Sequence, residues 1–198
     1  MIALVYGMDS SVQEHIQNGL IRKIVKEVNN FSRIGKIVLF THDVKNYSVL
    51  FKDVVHIPCG LVSTLFLRKI LYPFSGLFYL LKYSHYFKVI RVIGVACPQA
   101  VLVSKLTKKP LIVSYHYEWA KEVKITLAKQ NLIFRILFLS DFLYFIAQAI
   151  EHFIIKNADI VIALMPYLGS VAKRKGAKKV IIIPNGVDFK LIKKYSIY

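Results

Sequence analysis

Cysteine is nearly missing from this chain of 198 residues: only Cys59 and Cys97 occur, with no CxxC or Cys/His ligand spacing, so neither a disulfide framework nor a zinc cluster is expected. A reducing, cytoplasmic setting follows. Acidic residues are scarce as well, 11 against 28 Lys and Arg, which leaves a net charge of +17 and a pI near 9.9. That surplus selects anionic partners or surfaces. Several chemistries lack their signatures. The six histidines form no HExxH or similar pairing, so no metal is expected. GxGxxG and Walker patterns are absent, which sets aside the dinucleotide and P-loop readings, and Ser114 lacks a GxSxG elbow. No motif that reads RNA or DNA accompanies the positive charge, so nucleic acid is not an expected partner. Met1–Tyr6 has no basic n-region and no cleavage site, and reads as a strand, not a signal peptide. The longest apolar run, 136–150, would form a helix of roughly 22 Å. A hydrocarbon core is about 30 Å thick and Asp141 would sit near mid-span, so a membrane crossing is not expected.

What the chain does have is buried-strand character: 56% hydrophobic residues, 20% charged residues and a mean hydropathy of +0.49. Disorder is excluded. Short apolar runs at 2–6, 36–41, 54–58, 89–93, 111–115, 160–164 and 180–183 have the pattern of parallel strands covered on both faces. Helical segments separate them at 12–28, 61–83, 99–105, 119–156 and 166–175. The expected class is α/β, a doubly wound, mostly parallel sheet of about seven strands with helices on both faces. Ligands in such sheets bind beyond the carboxyl ends of the strands, which directs attention to the loops after Tyr6, Tyr115 and Ile183.

In the first of these loops Ser11 and Glu14 have capping-box spacing, and Ser10, Ser11 and the first free N–H groups of the following helix would face an anion. His116 sits at the mouth of a central strand, and His15 lies one turn into the first helix. Basic charge is spread along the chain. The segments 61–83 and 132–155 combine aromatic, apolar and basic residues, as an interfacial surface does. Phe66, Tyr72, Phe74, Phe78 and Tyr79 are the expected interfacial aromatics, with Pro73 breaking or kinking the helix among them.

The most specific pattern lies near the end: Asn157-Ala158-Asp159-Ile160-Val161-Ile162-Ala163, then Lys173-Arg174-Lys175-Gly176, then Ile183-Pro184-Asn185-Gly186-Val187-Asp188. It resembles the close of the N-terminal domain in retaining glycosyltransferases of family 4, which have the two-domain glycosyltransferase-B fold. Two further stretches are similar to that family: Val12-Gln13-Glu14-His15 to its GGVQ-x-H segment, and Lys109-Pro110 through His116 to its strand ending in His. Ser10-Ser11 stands where the family has Gly-Gly, so hydroxyls replace a close backbone approach to the donor.

The resemblance implies a Rossmann-like acceptor domain over 1–186, the start of an interdomain connection over 187–198, and a donor-binding second domain that is not in this chain. It implies sugar transfer with retention from a nucleotide diphosphate donor to a hydroxyl of an anionic or lipid-linked acceptor. No cofactor or metal is implied. His116 would be the catalytic histidine; Ser10 and Ser11 would border the donor phosphate; Gln13 and Lys121 would meet the acceptor, helped by Lys124, with Glu118 a further candidate. The implied partners are the nucleotide sugar, the acceptor, the chain's own second domain and the anionic inner face of a membrane. Without that second domain the chain is expected to be inactive. The rival expectation is a non-catalytic membrane-surface or partner-binding module that keeps the half-fold.

Overall fold

The computed structural model describes residues 1–8, 10–129 and 139–184. The strands are β1 (Ile2–Tyr6), β2 (Ile37–Thr41), β3 (Val54–Pro58), β4 (Val89–Ile93), β5 (Leu111–Tyr115), β6 (Ile160–Ala163) and β7 (Val180–Ile182). They form one sheet in the order β3-β2-β1-β4-β5-β6-β7, and every neighbouring pair is parallel. The helices are α1 (Val12–Gln17), α2 (Ile21–Ser32), α3 (Leu65–Lys82), α4 (Pro98–Thr107), α5 (Trp119–Lys129), α6 (Leu139–Asn157) and α7 (Pro166–Arg174). This is the doubly wound α/β class.

Side chains alternate between the two faces of the sheet. On one face Ala3, Val5, Val38, Phe40, Ile90, Val92, Val113, Tyr115 and Val161 pack beneath α3, α4, α6 and α7, which supply Tyr72, Leu80, Val101, Ile154, Ile155 and Val171. Each such aliphatic side chain, fully buried, contributes on the order of 1.5–3 kcal/mol. On the other face Leu4, Tyr6, Ile37 and Leu39 pack beneath Val12 of α1 and Ile24 and Val28 of α2. Further along that second face Arg91, Ile112, Ile160 and Ile162 are only half-buried, with Phe31 of α2 lying against Arg91. Strand order reverses between β1 and β4, so the crevice at their carboxyl ends is a topological switch point.

Four expectations change. The helix expected over 12–28 is two, because Gly19 adopts φ +70°, a left-handed conformation that ends α1, and α2 then runs on to Ser32. The stretch 119–156 holds α5 and α6, with 130–138 between them outside the described residues. α3 continues unbroken through Pro73. Tyr72 is not interfacial: its ring is fully buried and its hydroxyl donates to the carbonyl of Tyr6 at 2.9 Å. The side chain of Phe66 and the segment 185–198, which includes Asn185-Gly186 and the connection over 187–198, lie outside the described residues. Among the described residues no helix is long and apolar enough to cross a membrane.

Candidate functional site

A cleft of about 800 Å³ opens at the switch point. Tyr6 and Ser10 line it from the end of β1, Ile93 and Gly94 from the end of β4, and Ser114 and His116 from β5. Lys23, Glu27 and Phe31 of α2 form the opposite wall. His116, the first residue past β5, is half-buried, and its pKa lies below the usual 6.5, chiefly because burial disfavours the imidazolium and then because Lys23 and Arg91 are near. At neutral pH the ring is neutral, with one nitrogen able to donate and the other to accept. His15 Nδ1 lies 2.8 Å from the carbonyl of Ser11 and 3.3 Å from Ser10 Oγ. A carbonyl only accepts, so Nδ1 carries a proton and donates it there.

Ser11 and the start of α1 are turned inward. Ser11 is fully buried and caps α1 by accepting from the N–H of Glu14 at 3.1 Å. The N–H groups of Val12 and Gln13 donate to Asp43 Oδ2 and Oδ1 at 2.9 and 3.0 Å. A buried carboxylate from the loop after β2 therefore occupies the place where free N–H groups were expected to meet an outside anion. A chain of hydrogen bonds supports it. Tyr47 N–H donates to His56 Nδ1 at 2.9 Å, His56 Nε2 donates to Thr41 Oγ1 at 2.8 Å, and Thr41 donates to Asp43 Oδ2 at 2.6 Å. Burial holds His56 neutral, with its pKa lowered to about 4 against the pull of Asp43. Gly60 completes the arrangement. A Cβ there would collide with the carbonyl oxygens of His42 and Asp43.

Gln13 and Glu14 are engaged by α3. Gln13 Oε1 accepts from Arg68 Nη1 at 2.8 Å, and Glu14 Oε1 accepts from Lys69 at 2.6 Å. Glu14 Oε2 also lies 3.2 Å from His42 Nε2. Burial alone would raise the Glu14 pKa, but His42 and Lys69 outweigh it and bring it down to about 2. Glu118, Lys121 and Tyr167 form a separate surface triad, in which Lys121 and the Tyr167 hydroxyl donate to Glu118 Oε1 at 2.8 and 2.6 Å. Lys124 pairs with Asp141 at 3.2 Å and lies over the Tyr144 ring, 5.0 Å from its centroid. Of the residues singled out in the sequence, the structure brings Ser10, His15 and His116 into the cleft. Ser11 and Gln13 serve as its scaffold, whereas Glu118, Lys121 and Lys124 do not line it.

Sequence reasoning missed Arg91, Glu27 and Tyr167, and read Lys23 only as part of the basic charge spread along the chain. For Arg91 a signal was present, a guanidinium inside the apolar run Val89-Ile90-Arg91-Val92-Ile93. It donates to Ser114 Oγ at 3.2 Å and stacks 4.3 Å from the centre of the Phe31 ring. Burial raises the pKa of Glu27, opposed by Lys23, Arg91 and His15. Among the described residues no group of three or more His, Cys, Asp or Glu side chains is placed to hold a metal.

The sequence profile of Glycosyltransferase Family 4 matches residues 36–191, well over half of the chain. The chain belongs to Glycosyltransferase Family 4. Structural likeness agrees at the level of fold. A UDP-glucosyltransferase from Polygonum tinctorium, solved with 3,4-dichloroaniline, superimposes with a TM-score of 0.53 at 11% identity over 93% of this chain. Os79 from O. sativa, solved in complex with UDP, gives a TM-score of 0.53 at 13% identity over 97%. The chain spans only 51% and 54% of those two proteins, one Rossmann-like half of a glycosyltransferase-B fold. A sucrose-phosphate synthase chain from Thermosynechococcus elongatus overlaps at a TM-score of 0.49 and 14% identity, covering 98% of this chain and 94% of that one. No curated protein sequence matches with significance. The family match takes in His116 but begins after the loop that holds Ser10 and His15.

Proposed function

We propose that this Glycosyltransferase Family 4 chain is the acceptor-side half of an enzyme that moves a sugar, with retention, from a nucleotide diphosphate donor to a hydroxyl of an anionic or lipid-linked acceptor. The observation that carries the proposal is the placement of His116 at the switch-point cleft with Ser10 and His15, where burial lowers its pKa. In this reading His116 touches the transferred sugar and the accepting hydroxyl, where a neutral imidazole accepts or shares a proton without adding charge. Ser10 borders the donor phosphate with its hydroxyl. Gln13 orders the rim through Arg68, and the Glu118–Lys121 pair receives the outer part of the acceptor, with Lys124 nearby. No cofactor is required; the nucleotide sugar is a substrate. The donor-binding half comes from a second domain, so residues 1–198 alone are inactive.

The lipid-linked acceptor is favoured by the outer face of α3. Leu67, Ile70, Phe74, Phe78 and Leu81 recur at helical spacing and are exposed, Phe74 to 72% and Phe78 to 61%. Such a stripe on a chain of net charge +17 suits peripheral attachment to an anionic membrane face. The catalytic part is tested by His116→Ala in a protein that carries both halves. Turnover is expected to fall by about 10²-fold or more with an unchanged melting temperature, the scale of a lost general acid or base. Near wild-type turnover, or unfolding, would remove His116 from the chemistry.

A further inference from the structure

An arginine in the middle of a parallel strand is out of place, because such strands are covered on both faces and read as continuous apolar runs. Arg91 occupies that position in β4, register-paired with Leu4 on one side and Ile112 on the other, and its side chain lines the inner end of the cleft. The groups it touches carry no charge, and Glu27 reaches it only as a through-space attraction. One Nη donates to the neutral hydroxyl of Ser114, the Phe31 ring lies against the guanidinium, and Nε is buried with no hydrogen-bond partner. Among the described residues no carboxylate comes within 4.0 Å of Arg91. Glu27 lines the same cleft but forms no such pair, and Lys23, His15 and His116 line it too, so among the described lining residues cationic or protonatable groups outnumber the acidic ones. A half-buried guanidinium whose Nε has no partner is left with unused donors, and a bidentate oxyanion is the ligand that satisfies its planar fork.

We infer that the inner end of the cleft is an oxyanion subsite, built by Arg91 with Lys23 and Ser114, that takes a phosphate group of a substrate. The inference rests on the glycosyltransferase reading only for which substrate brings the phosphate, the nucleotide donor or a phosphate-bearing acceptor. The subsite deepens the cleft from a place where a hydroxyl is positioned to one where the charge of its bearer is read. Arg91 is a binding residue for that group, and Phe31 holds the guanidinium plane in place for it.

The test is isothermal titration of the purified chain with inorganic phosphate at low ionic strength, on wild type, Arg91→Gln, Arg91→Lys and the exposed control Lys173→Gln. Wild type and Lys173→Gln should bind one phosphate saturably and equally. Arg91→Gln should weaken binding by about tenfold or more, the effect of losing a charge-assisted hydrogen bond, and Arg91→Lys by less. Equal binding by Arg91→Gln, or equal loss in Lys173→Gln, would overturn the subsite, since either makes the attraction diffuse. Should Arg91→Gln melt early, Arg91→Lys decides: weakened binding at an unchanged melting temperature supports the subsite, and unchanged binding overturns it. Competition then names the source. Displacement of phosphate by UDP points to the donor and displacement by glycerol 1-phosphate to the acceptor; displacement by neither overturns the subsite. Sugar transfer failing in the two-domain protein while phosphate binding persists would count against the enzyme reading and leave the subsite standing.

Discussion

At the scale of single residues, three groups whose pKa values the fold lowers, His56, His116 and Glu14, set how the protein responds to acid. His56 has a pKa of about 4 in the folded chain against 6.5 when free, so between those values the unfolded chain binds a proton that the folded one refuses. Stability is therefore complete above pH 6.5 and declines as the pH falls toward 4, by as much as about 3 kcal/mol. His116, also lowered, acts in the same direction. Glu14 contributes in a different window. Its pKa of about 2 stabilises the fold above pH 4.5, and that contribution is lost only below it. Urea unfolding at pH 7 and pH 5 should show the midpoint dropping, and His56→Gln should flatten much of the drop; an undiminished drop would assign it to other groups. Little of this could be read beforehand. His56 and Asp43 have no local motif, because Thr41, Asp43 and His56 meet only when β2 and β3 pair, fifteen residues apart in the chain.

At the scale of elements, Glu151 of α6 is the hub that joins three others. It is fully buried and accepts from the Tyr115 hydroxyl at the end of β5, the N–H of Ala120 in α5 and the ammonium of Lys175 just past α7, at 2.5, 2.9 and 2.7 Å. All three neighbours donate, so only an acceptor on both oxygens satisfies them. Glu151→Gln should cost on the order of 2 kcal/mol, because the new NH₂ must face a donor, and Glu151→Ala should cost more. Thermal melting of the two variants checks the order; a neutral Glu151→Gln would mean that water reaches the hub. The strands, unlike this hub, were legible within a residue or so at their ends. Their apolar runs are short, bounded and buried on two faces, so local composition already states their environment. The helix over 12–28 was misread because a Gly inside a helical pattern is tolerated as often as it breaks one, and only the left-handed φ of Gly19 tells which.

At the scale of the whole molecule, net charge and an exposed apolar stripe act together. The net charge of +17 and the exposed aromatics of α3 together predict sedimentation with anionic but not zwitterionic vesicles, and release by added salt as screening shortens the reach of the basic groups. Phe74→Ser combined with Phe78→Ser should weaken that binding while leaving the melting temperature unchanged, since neither ring is in the core. Retention at high salt would show that charge does not hold the protein there. The position of His116 at the cleft was legible because a strand's carboxyl end can be read from its sequence, whereas the opposite wall, formed by α2, depends on where the chain turns at Gly19. α3 also faces two ways. Its inner side is tied to the rim through Arg68 to Gln13, Lys69 to Glu14 and Tyr72 to the Tyr6 carbonyl, while the aromatic stripe looks outward. The helix is thus a spacer of fixed thickness. Whatever seats on the stripe is held roughly 10 Å from the rim, the width of one helix. On the proposed attachment, an acceptor embedded in that surface would have to project its hydroxyl beyond this distance to be reached, and α3 would then set a reading height that selects head groups by their length.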